Sequence, residues 1–488
     1  MARARTASVM VGLAGCLAVQ LGVATPSAGT TRDASAPGAV GPPSTRSDRA
    51  LSTPREDSYY PGKGDPTVDA LRYGLSLTWL RKSRVLEGRA SITLRAARAD
   101  DVLRLDLSHR LRVRRVRVGG EGTAFSREGN HLVVHKAVRR DARYRVEIAY
   151  RGRPAPARGP ASRPDIAEVG MRVTRDGQLW TMQEPFGAFT WFPVNDHPSD
   201  KAFYRLQVTT PADQVAVSNG RLAYRRTRDG RTTVRWANAD PMPSYLLTLA
   251  VGPYRSYRQT GPHGLPIRHW VPRDRPELVK PLLRTPAALR WLERRLGPYP
   301  FDRAGVVLTP GGSAMETQTL VTFGRRNYSY GRFEVRAIVV HELVHQWWGD
   351  AVTPADWADL WMNEGMASYL EARWRDDHSD DRAYDWARTV GYWARLDQSL
   401  RDSYGPPGAY DRTEFASINV YWSTALMWDR LRRRLGDATF ERLVRRWPQR
   451  HLYVSADRAE LVAWWSARAG ADLEPFFDRW LDSEKSPA

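Results

Sequence analysis

The segment HELVH, residues 341–345, carries two histidines four positions apart, with a glutamate directly after the first. On an α-helix, positions i and i+4 lie on one face, so His341 and His345 can bind a single metal ion. Paired imidazoles at this spacing are typical of zinc sites. Glu342 is then placed to act as a general base on a water molecule at the metal. The segment predicts a zinc-dependent hydrolase. The alternative is a helix with two partly buried structural histidines.

A third ligand follows at a suitable interval. Eighteen residues separate His345 from Glu364, which lies in the helical segment WMNEGMASYLE. The interval contains Gly, Pro and Asp, which favour turns, so two antiparallel helices can present all three side chains to one ion. Three protein ligands leave one position for water, which is the catalytic arrangement of zinc. Glu371 shares a helix face with Glu364 and is predicted to hydrogen-bond a ligand histidine, the alternative being an exposed carboxylate.

The histidine segment has three companions in the chain. The four segments are TMQEPFGAFTWFPVNDHPSDKAFYRLQVTTP (181–211), GGSAMET (311–317), HELVHQWWGDAVTPADWADLWMNEGMASYLE (341–371) and VYWSTALMWDRLRRRLGD (420–437). Together they resemble the zinc aminopeptidases related to aminopeptidase N and leukotriene hydrolase, a branch of the gluzincins. The resemblance covers most of the chain from about residue 68. It implies one zinc ion per chain and hydrolysis of the N-terminal bond of a peptide.

The resemblance also implies roles in the reaction. Glu342 would take a proton from the attacking water and pass it to the departing amine. Tyr421 matches the position of the family's tyrosine, whose phenol hydrogen-bonds the developing oxyanion. From the residues alone, Tyr421 is a core aromatic of an amphipathic helix, so this role depends on the resemblance.

Substrate binding is predicted in the same way. Glu316 matches the glutamate of the family's exopeptidase motif, and Glu184 matches an acidic or amide position contributed by the N-terminal domain. A buried carboxylate near the zinc can select a free α-ammonium group by charge-assisted hydrogen bonding. Backbone groups of Gly312 and Ala314 are predicted to pair with the substrate as an added strand.

The elements that must position these residues differ between the two halves of the chain. Residues 67–255 alternate apolar and polar side chains between turn-rich segments, which predicts an antiparallel all-β saddle or sandwich domain. Residues 256–488 are predicted to form a mainly helical α+β catalytic domain, thermolysin-like by the resemblance, with a small sheet at its start. The periodicity places helices at about 334–348, 360–375, 382–400 and 418–435.

The N-terminal region predicts export. Residues 1–28 contain a short basic stretch and then a long apolar run, which is the order of a secretory signal peptide. The single cysteine, Cys16, lies in LAGC, so the alternative is a lipid anchor on the outer face of the cell membrane. Residues 29–66 are rich in Ser, Pro, Gly and Arg and are predicted to be a disordered linker. We expect a secreted protein without a transmembrane segment in the mature chain.

Composition narrows the partners. The net charge of +20 comes from basic residues dispersed through both halves, and no nucleic-acid-binding module accompanies them. We therefore expect peptides with a free N-terminus as substrates, no nucleic acid, and a monomer. Two alternatives remain at this stage. One is a gluzincin endopeptidase that ignores the free amine, and the other is a catalytically inactive, peptidase-like binding scaffold.

Overall fold

Alternating burial defines the strands of the first half in a computed structural model, which describes residues 49–488. In β1, for example, Tyr73, Leu75, Leu77 and Trp79 are buried while the residues between them are more exposed, as the sequence pattern predicts. The strands of the β domain are β1 (Val68–Leu80), β2 (Val85–Ala96), β3 (Leu103–Asp106), β4 (Leu111–Val118), β5 (Glu121–Gly122), β6 (Phe125–Glu128), β7 (His131–Val134), β8 (Arg143–Gly152), β9 (Ala157–Arg158), β10 (Glu168–Val173), β11 (Leu179–Met182), β12 (Lys201–Pro211), β13 (Val215–Ser218), β14 (Arg221–Arg228), β15 (Arg231–Ala237), β16 (Met242–Pro243) and β17 (Leu249–Gly252).

These strands form three sheets. The largest has the order β14-β15-β12-β1-β2-β8-β4-β5, with β16 paired to β12, and the others are β13-β17-β11-β10-β9 and β3-β7-β6. The strand pairs of the largest sheet are antiparallel apart from β1 and β12, which run parallel over residues 72–78 and 203–209. A parallel pair needs a long crossover, and here the whole intervening chain from β2 to β11 provides it. The predicted antiparallel β domain is confirmed with this one exception.

The second half begins with a five-stranded sheet of order β18-β19-β20-β22-β21, followed by helices. Its elements are β18 (Tyr254–Thr260), β19 (Pro266–Pro272), α1 (Val279–Leu282), α2 (Thr285–Leu296), β20 (Ala304–Thr309), β21 (Ala314–Met315), β22 (Val321–Gly324), α3 (Arg332–Val344), β23 (Val352–Pro354), α4 (Trp361–His378), α5 (Trp386–Tyr404), α6 (Ile418–Leu435), α7 (Asp437–Arg450), β24 (Val454–Ala456), α8 (Arg458–Ala469) and α9 (Glu474–Leu481). The predicted mainly helical α+β domain is confirmed. Among residues 49–488, no helix combines the length and apolarity needed to cross a membrane.

The segment that precedes β1 differs from its prediction. Residues 49–66 fall in the predicted disordered linker, yet they bond to both domains. Asp57 accepts a hydrogen bond from the backbone of Trp357 at 2.9 Å, and Ser58 donates one to Asp356 at 2.7 Å. The linker prediction is therefore wrong for this part, because a composition poor in apolar residues can still order a chain through buried polar contacts. The rest of the linker, the signal peptide and Cys16 lie outside the described residues.

The two domains share packing. One buried apolar cluster runs from the strands of the β domain to Met315, Trp357, Phe415 and Tyr421 of the second half. A second cluster packs α2, α3, α4 and α6 against the five-stranded sheet. The residues that the sequence singles out for catalysis therefore lie at the boundary between the domains.

Candidate active site

The two predicted histidine ligands lie at the C-terminal end of α3. His341 is in the last turn and His345 is the residue that ends the helix, three residues earlier than the predicted end near residue 348. Both side chains are buried. The chain then turns at Gly349, whose φ is +142° and where a Cβ would lie 3.2 Å from the Nδ1 atom of His345. The turn keeps space for the imidazole where any larger residue would crowd it.

Glu364 and Tyr421 reach the histidines from two packed helices. Glu364 lies in the first turn of α4, and Tyr421 lies near the start of α6. Gly365 permits the close approach of these helices, since a Cβ there would meet the hydroxyl oxygen of Thr424 at 2.3 Å. The Tyr421 hydroxyl donates a hydrogen bond of 3.2 Å to Glu364. The tyrosine that the sequence alone assigns to the core therefore reaches the ligand cluster.

The three ligands converge on one point. Their ligand atoms all lie within 4.8 Å of one another. The Nε2 atoms of His341 and His345 lie 3.1 and 3.4 Å from the same oxygen of Glu364.

The other ring nitrogens are occupied. Nδ1 of His341 bonds to Glu371 at 3.1 Å, and Nδ1 of His345 bonds to the carbonyl of Trp348 at 3.1 Å. Those acceptors hold a proton on each Nδ1, which leaves the Nε2 lone pairs free to bind a metal. Two imidazole nitrogens and one carboxylate oxygen are a ligand set that fits zinc.

Glu371, the carboxylate that bonds to His341, is itself held by an arginine. Glu371 accepts two hydrogen bonds from Arg375, at 2.9 and 2.7 Å, and Arg375 also pairs with Glu334 at 2.7 Å. The two bonds to one oxygen fix Glu371, whose other oxygen then orients the His341 ring. Of the two alternatives for Glu371, the structure shows the one in which it bonds a ligand histidine.

Charge interactions between Glu364 and the two histidines outweigh the effect of burial on their pKa values. Burial alone would raise the pKa of Glu364, but the imidazoles of His345 and His341 outweigh it and hold that pKa below its usual range. Burial likewise lowers the pKa of His345, but the carboxylate of Glu364 outweighs it and raises the pKa. The carboxylate and the two imidazoles therefore interact as one buried cluster, and a metal ion can take the place of the protons that they share.

A cavity opens onto the ligands, with both domains in its wall. Glu342 lines it, fully buried, and its Oε1 atom has no hydrogen-bond partner among the described residues. Burial raises the pKa of Glu342 to about 8, against the opposing effect of His341 and His345. An unpaired carboxyl group beside the ligands is available to exchange protons with a molecule in the cavity.

The predicted substrate carboxylates line the same cavity. Glu316 follows the edge strand β21, and Glu184 follows β11 of the β domain. Glu316 is buried and Glu184 is partly buried. Each has one carboxylate oxygen without a partner among the described residues. Burial raises the pKa of both groups, and the charge of Glu316 raises that of Glu184 further. Two desolvated carboxylates that repel each other form a site for a cation.

Of the two residues whose backbone is predicted to pair with a substrate, Ala314 and Gly312, only Ala314 lines the cavity. Ala314 lines the cavity and belongs to β21, which pairs only with β22 within the described sheet, so one edge of β21 is available. Gly312 precedes the strand and is absent from the cavity wall.

Thr317, which follows Glu316, is absent from the cavity wall. Its hydroxyl bonds to the Leu320 carbonyl and lies 2.9 Å from the hydroxyl of Thr322. This residue therefore stabilises the turn after β21.

Sequence reasoning missed Gln346, whose side chain links the histidine segment to Glu316. Its amide nitrogen donates to the Glu316 carbonyl at 2.8 Å and to Asp350 at 2.7 Å. Its amide oxygen accepts from the backbone of Thr319 at 2.8 Å and from the hydroxyl of Tyr299 at 2.9 Å. The only available signal was its position next to His345, because its partners lie up to 47 residues away.

Two models of one family match the chain. The Peptidase M1 N-terminal domain matches residues 69–246, and the Peptidase family M1 domain matches residues 284–480. Together they cover about three quarters of the sequence.

Individual relatives are similar over parts of the chain. Glutamyl aminopeptidases of Rattus norvegicus and Homo sapiens are 32% and 31% identical to it over 217 and 215 residues, which is 41% of this chain in each case. A probable aminopeptidase 1 of Saccharolobus solfataricus is 27% identical over 287 residues. The matches span 23%, 22% and 35% of these three relatives, so the chain corresponds to a minor part of each.

A solved structure matches nearly the whole described fold. It is a mutant M1 zinc metallopeptidase from Deinococcus radiodurans bound to a Tyr-Ser-Ala substrate, 28% identical, with a TM-score of 0.77. The match covers 88% of this chain and 98% of that one. The prediction of a zinc metallopeptidase is confirmed by these family and structural matches. The chain, with its β domain, its helical catalytic domain and its two-histidine, one-glutamate ligand set, belongs to the peptidase M1 family of zinc metallopeptidases.

Proposed function

We propose that this protein is a zinc aminopeptidase that removes the N-terminal residue of peptides. One observation carries the proposal: the unpaired carboxylates Glu316 and Glu184 share one cavity with the metal ligands and Glu342. A carboxylate pair beside the reacting bond recognises an α-ammonium group. The substrate of an endopeptidase offers no free α-ammonium group at this position to pair with the unbonded oxygens of the two carboxylates.

The chain's own residues supply the remaining chemistry. Zinc held by His341, His345 and Glu364 would activate water and polarise the scissile carbonyl. Glu342 takes the proton of the attacking water and delivers it to the departing amine. Tyr421 donates its hydroxyl proton to the developing oxyanion.

The cavity wall also suggests which N-terminal residues are accepted. Besides the metal ligands it carries the acidic side chains Glu168, Glu184, Glu316 and Glu342, and among described residues its only Lys or Arg is Arg163. Apolar side chains complete the wall: Ile166, Val169, Met182, Met315 and Phe415. This lining favours apolar and basic N-terminal residues over acidic ones. The glutamyl aminopeptidase relatives, by contrast, are named for an acidic residue.

The test compares one peptide with a free N-terminus and the same peptide N-acetylated, followed by mass spectrometry of the products. We expect stepwise loss of N-terminal residues from the free peptide and no cleavage of the acetylated one. Equal cleavage of both would establish an endopeptidase, and no cleavage by protein with a full complement of zinc would establish an inactive scaffold. Amino-acid 4-nitroanilides with Arg, Leu, Tyr and Glu then test the side-chain preference, each with and without a chelator.

Secretion is part of the proposal and is supported by the signal-like residues 1–28 of the sequence. The proposal also takes the protein to be a monomer. Mass spectrometry of the mature N-terminus decides between cleavage near residue 28 and a lipid on Cys16. Light scattering gives the oligomeric state. A protein that retains residues 1–28 in the cell would contradict the proposal of export.

A further inference from the structure

A loop of the β domain docks against the segment that leads into α6, the helix of Tyr421. The loop covers residues 159–167, between β9 and β10. Its Pro160 carbonyl accepts a 2.7 Å hydrogen bond from the backbone of Phe415, and its Ser162 hydroxyl donates one of 2.6 Å to Glu414. These bonds join the two domains next to the proposed oxyanion donor.

Arg163 lies at the centre of this contact. Its side chain is 18% exposed and forms a two-pronged pair with Asp165, at 3.3 and 2.9 Å. A third nitrogen donates to the Ala416 carbonyl at 2.7 Å. Asp165 is held in turn by the Ser313 hydroxyl at 3.2 Å, just before β21. The guanidinium is therefore fixed from both domains.

The Ala416 contact controls the start of α6. Ala416 has a φ of +55°, the left-handed region that a non-glycine residue rarely adopts. Ser417, the N-cap of α6, follows directly. A bond to the Ala416 carbonyl stabilises the strained turn and so sets where the first turn of α6, with Tyr421, begins.

The same Arg163 side chain lies in the wall of the cavity together with Tyr421. The Tyr421 hydroxyl donates to Glu364 at 3.2 Å, on the side of the metal ligands. Ala416 precedes Tyr421 by five residues, so the contact of Arg163 with the Ala416 carbonyl holds the turn of α6 from which the phenol projects.

We propose that Arg163 is a positioning residue of the reaction, which holds the Tyr421 hydroxyl in the orientation for donating to the oxyanion. The inference deepens the proposed function, because it assigns the orientation of its oxyanion donor to a loop of the β domain. It requires peptide-bond hydrolysis at this site and does not depend on selection of a free N-terminus.

A double-mutant cycle tests the proposal, with kcat and KM measured for wild type, Arg163→Met, Tyr421→Phe and the double variant. We expect Arg163→Met to lower kcat by about tenfold or more with little change in KM. In the Tyr421→Phe background the same substitution should have no further effect, because the group it positions is gone. Zinc content and the midpoint of thermal unfolding show that each variant is folded. Arg175→Met removes an exposed charge from the same domain and should leave kcat unchanged.

Other outcomes overturn the assignment. Equal losses of kcat in both backgrounds would show that Arg163 acts on the fold as a whole, and a change in KM alone would make it a binding residue. Arg163→Lys is a second variant, and it replaces Arg163→Met in the cycle if Arg163→Met does not fold. It keeps the charge but cannot reach Asp165 and Ala416 together, so we expect partial activity, and full wild-type kcat would contradict the proposal. Cleavage of acetylated peptides would refute the aminopeptidase proposal. The double-mutant cycle could still be interpreted, because it needs only measurable peptide hydrolysis.

Discussion

At the scale of single residues, the contacts of each buried carboxylate separate its role from those of its neighbours. Glu364 is shared between two imidazoles, and Glu371 is held by Arg375. Glu342 and Glu316 each keep an oxygen without a partner among the described residues. In the proposed site, the groups that are fully bonded would hold the metal or its ligands, and the groups with free oxygens would face the substrate.

Glu342→Gln should abolish most turnover without loss of the metal. The amide cannot accept the water proton, and general-base catalysis typically contributes about 10²–10⁴ in rate. Kinetics together with zinc analysis of the purified protein measure both effects. Glu441→Gln, an exposed glutamate on α7, serves as the matched control. Turnover close to that of wild type would remove Glu342 from the role of base.

Glu316→Gln should weaken recognition of the free amine. The substitution keeps the size of the side chain but removes the charge, and charge-assisted hydrogen bonds contribute about 1.5–3 kcal/mol. We expect kcat/KM for peptides with a free N-terminus to fall by about 10–100-fold, while zinc content stays constant. Exposed Glu121→Gln should leave kcat/KM unchanged. If Glu316→Gln behaves like this control, the α-ammonium group binds elsewhere.

At the scale of elements, Gln346 links the end of α3 to the segment after β21. Both donors and both acceptors of its side-chain amide are used, and the residue is buried. The distance between the metal ligands and Glu316 is therefore set by one saturated amide. For the proposed aminopeptidase, that distance would decide which bond is cleaved.

Gln346→Met should destabilise the fold while keeping its volume. It leaves the Thr319 amide and the Glu316 carbonyl without their partner, and each unsatisfied buried group costs about 1–3 kcal/mol. We expect the free energy of unfolding in urea to fall by about 3 kcal/mol and KM for peptides to rise. Gln398→Met, at an exposed position of α5, is the control. A stability equal to that of the control would show that the Gln346 network is not formed.

At the scale of the whole molecule, a lysine of the β domain ties it to the loop behind His345. The ammonium nitrogen of Lys201 on β12 donates to the carbonyls of Asp350 and Ala351, at 2.9 and 3.2 Å. Burial lowers the pKa of this group to about 7, although the Asp350 carboxylate acts to raise it. The cavity that contains the proposed site requires both domains in their present arrangement, so this contact bears on activity as well as on stability.

Lys201 should make the stability depend on pH above neutrality. Its pKa falls from 10.5 in the unfolded chain to about 7 in the folded one, so between these values only the unfolded chain binds the proton. The contribution to stability is complete above pH 10.5 and is lost as the pH falls through 7. Between pH 7.5 and 9.5 the free energy of unfolding should rise by about 1.4 kcal/mol per pH unit relative to Lys201→Met. Denaturant unfolding of both proteins measures the difference, and Lys280→Met, at an exposed site, is the control. Parallel curves for wild type and Lys201→Met would contradict the assignment.

The sequence by itself determined the metal chemistry and the class of each half of the chain. The spacing of His341, His345 and Glu364 is local, and helical geometry converts it directly into a shared face. Alternation of apolar residues in β1 and helical periodicity in α6 likewise follow from short-range rules. The family resemblance added the positions of Tyr421 and Glu316.

Only the tertiary structure decided what surrounds these residues. Arg163 is more than 250 residues from the Ala416 carbonyl that it contacts, and Lys201 is 149 residues from Asp350. Residues 49–66, disordered by composition, are held through bonds to a domain some 300 residues away. Periodicity and spacing describe what a chain does within a few turns. Contacts between distant segments depend on how the domains pack, and the orientation of the proposed catalytic groups depends on those contacts.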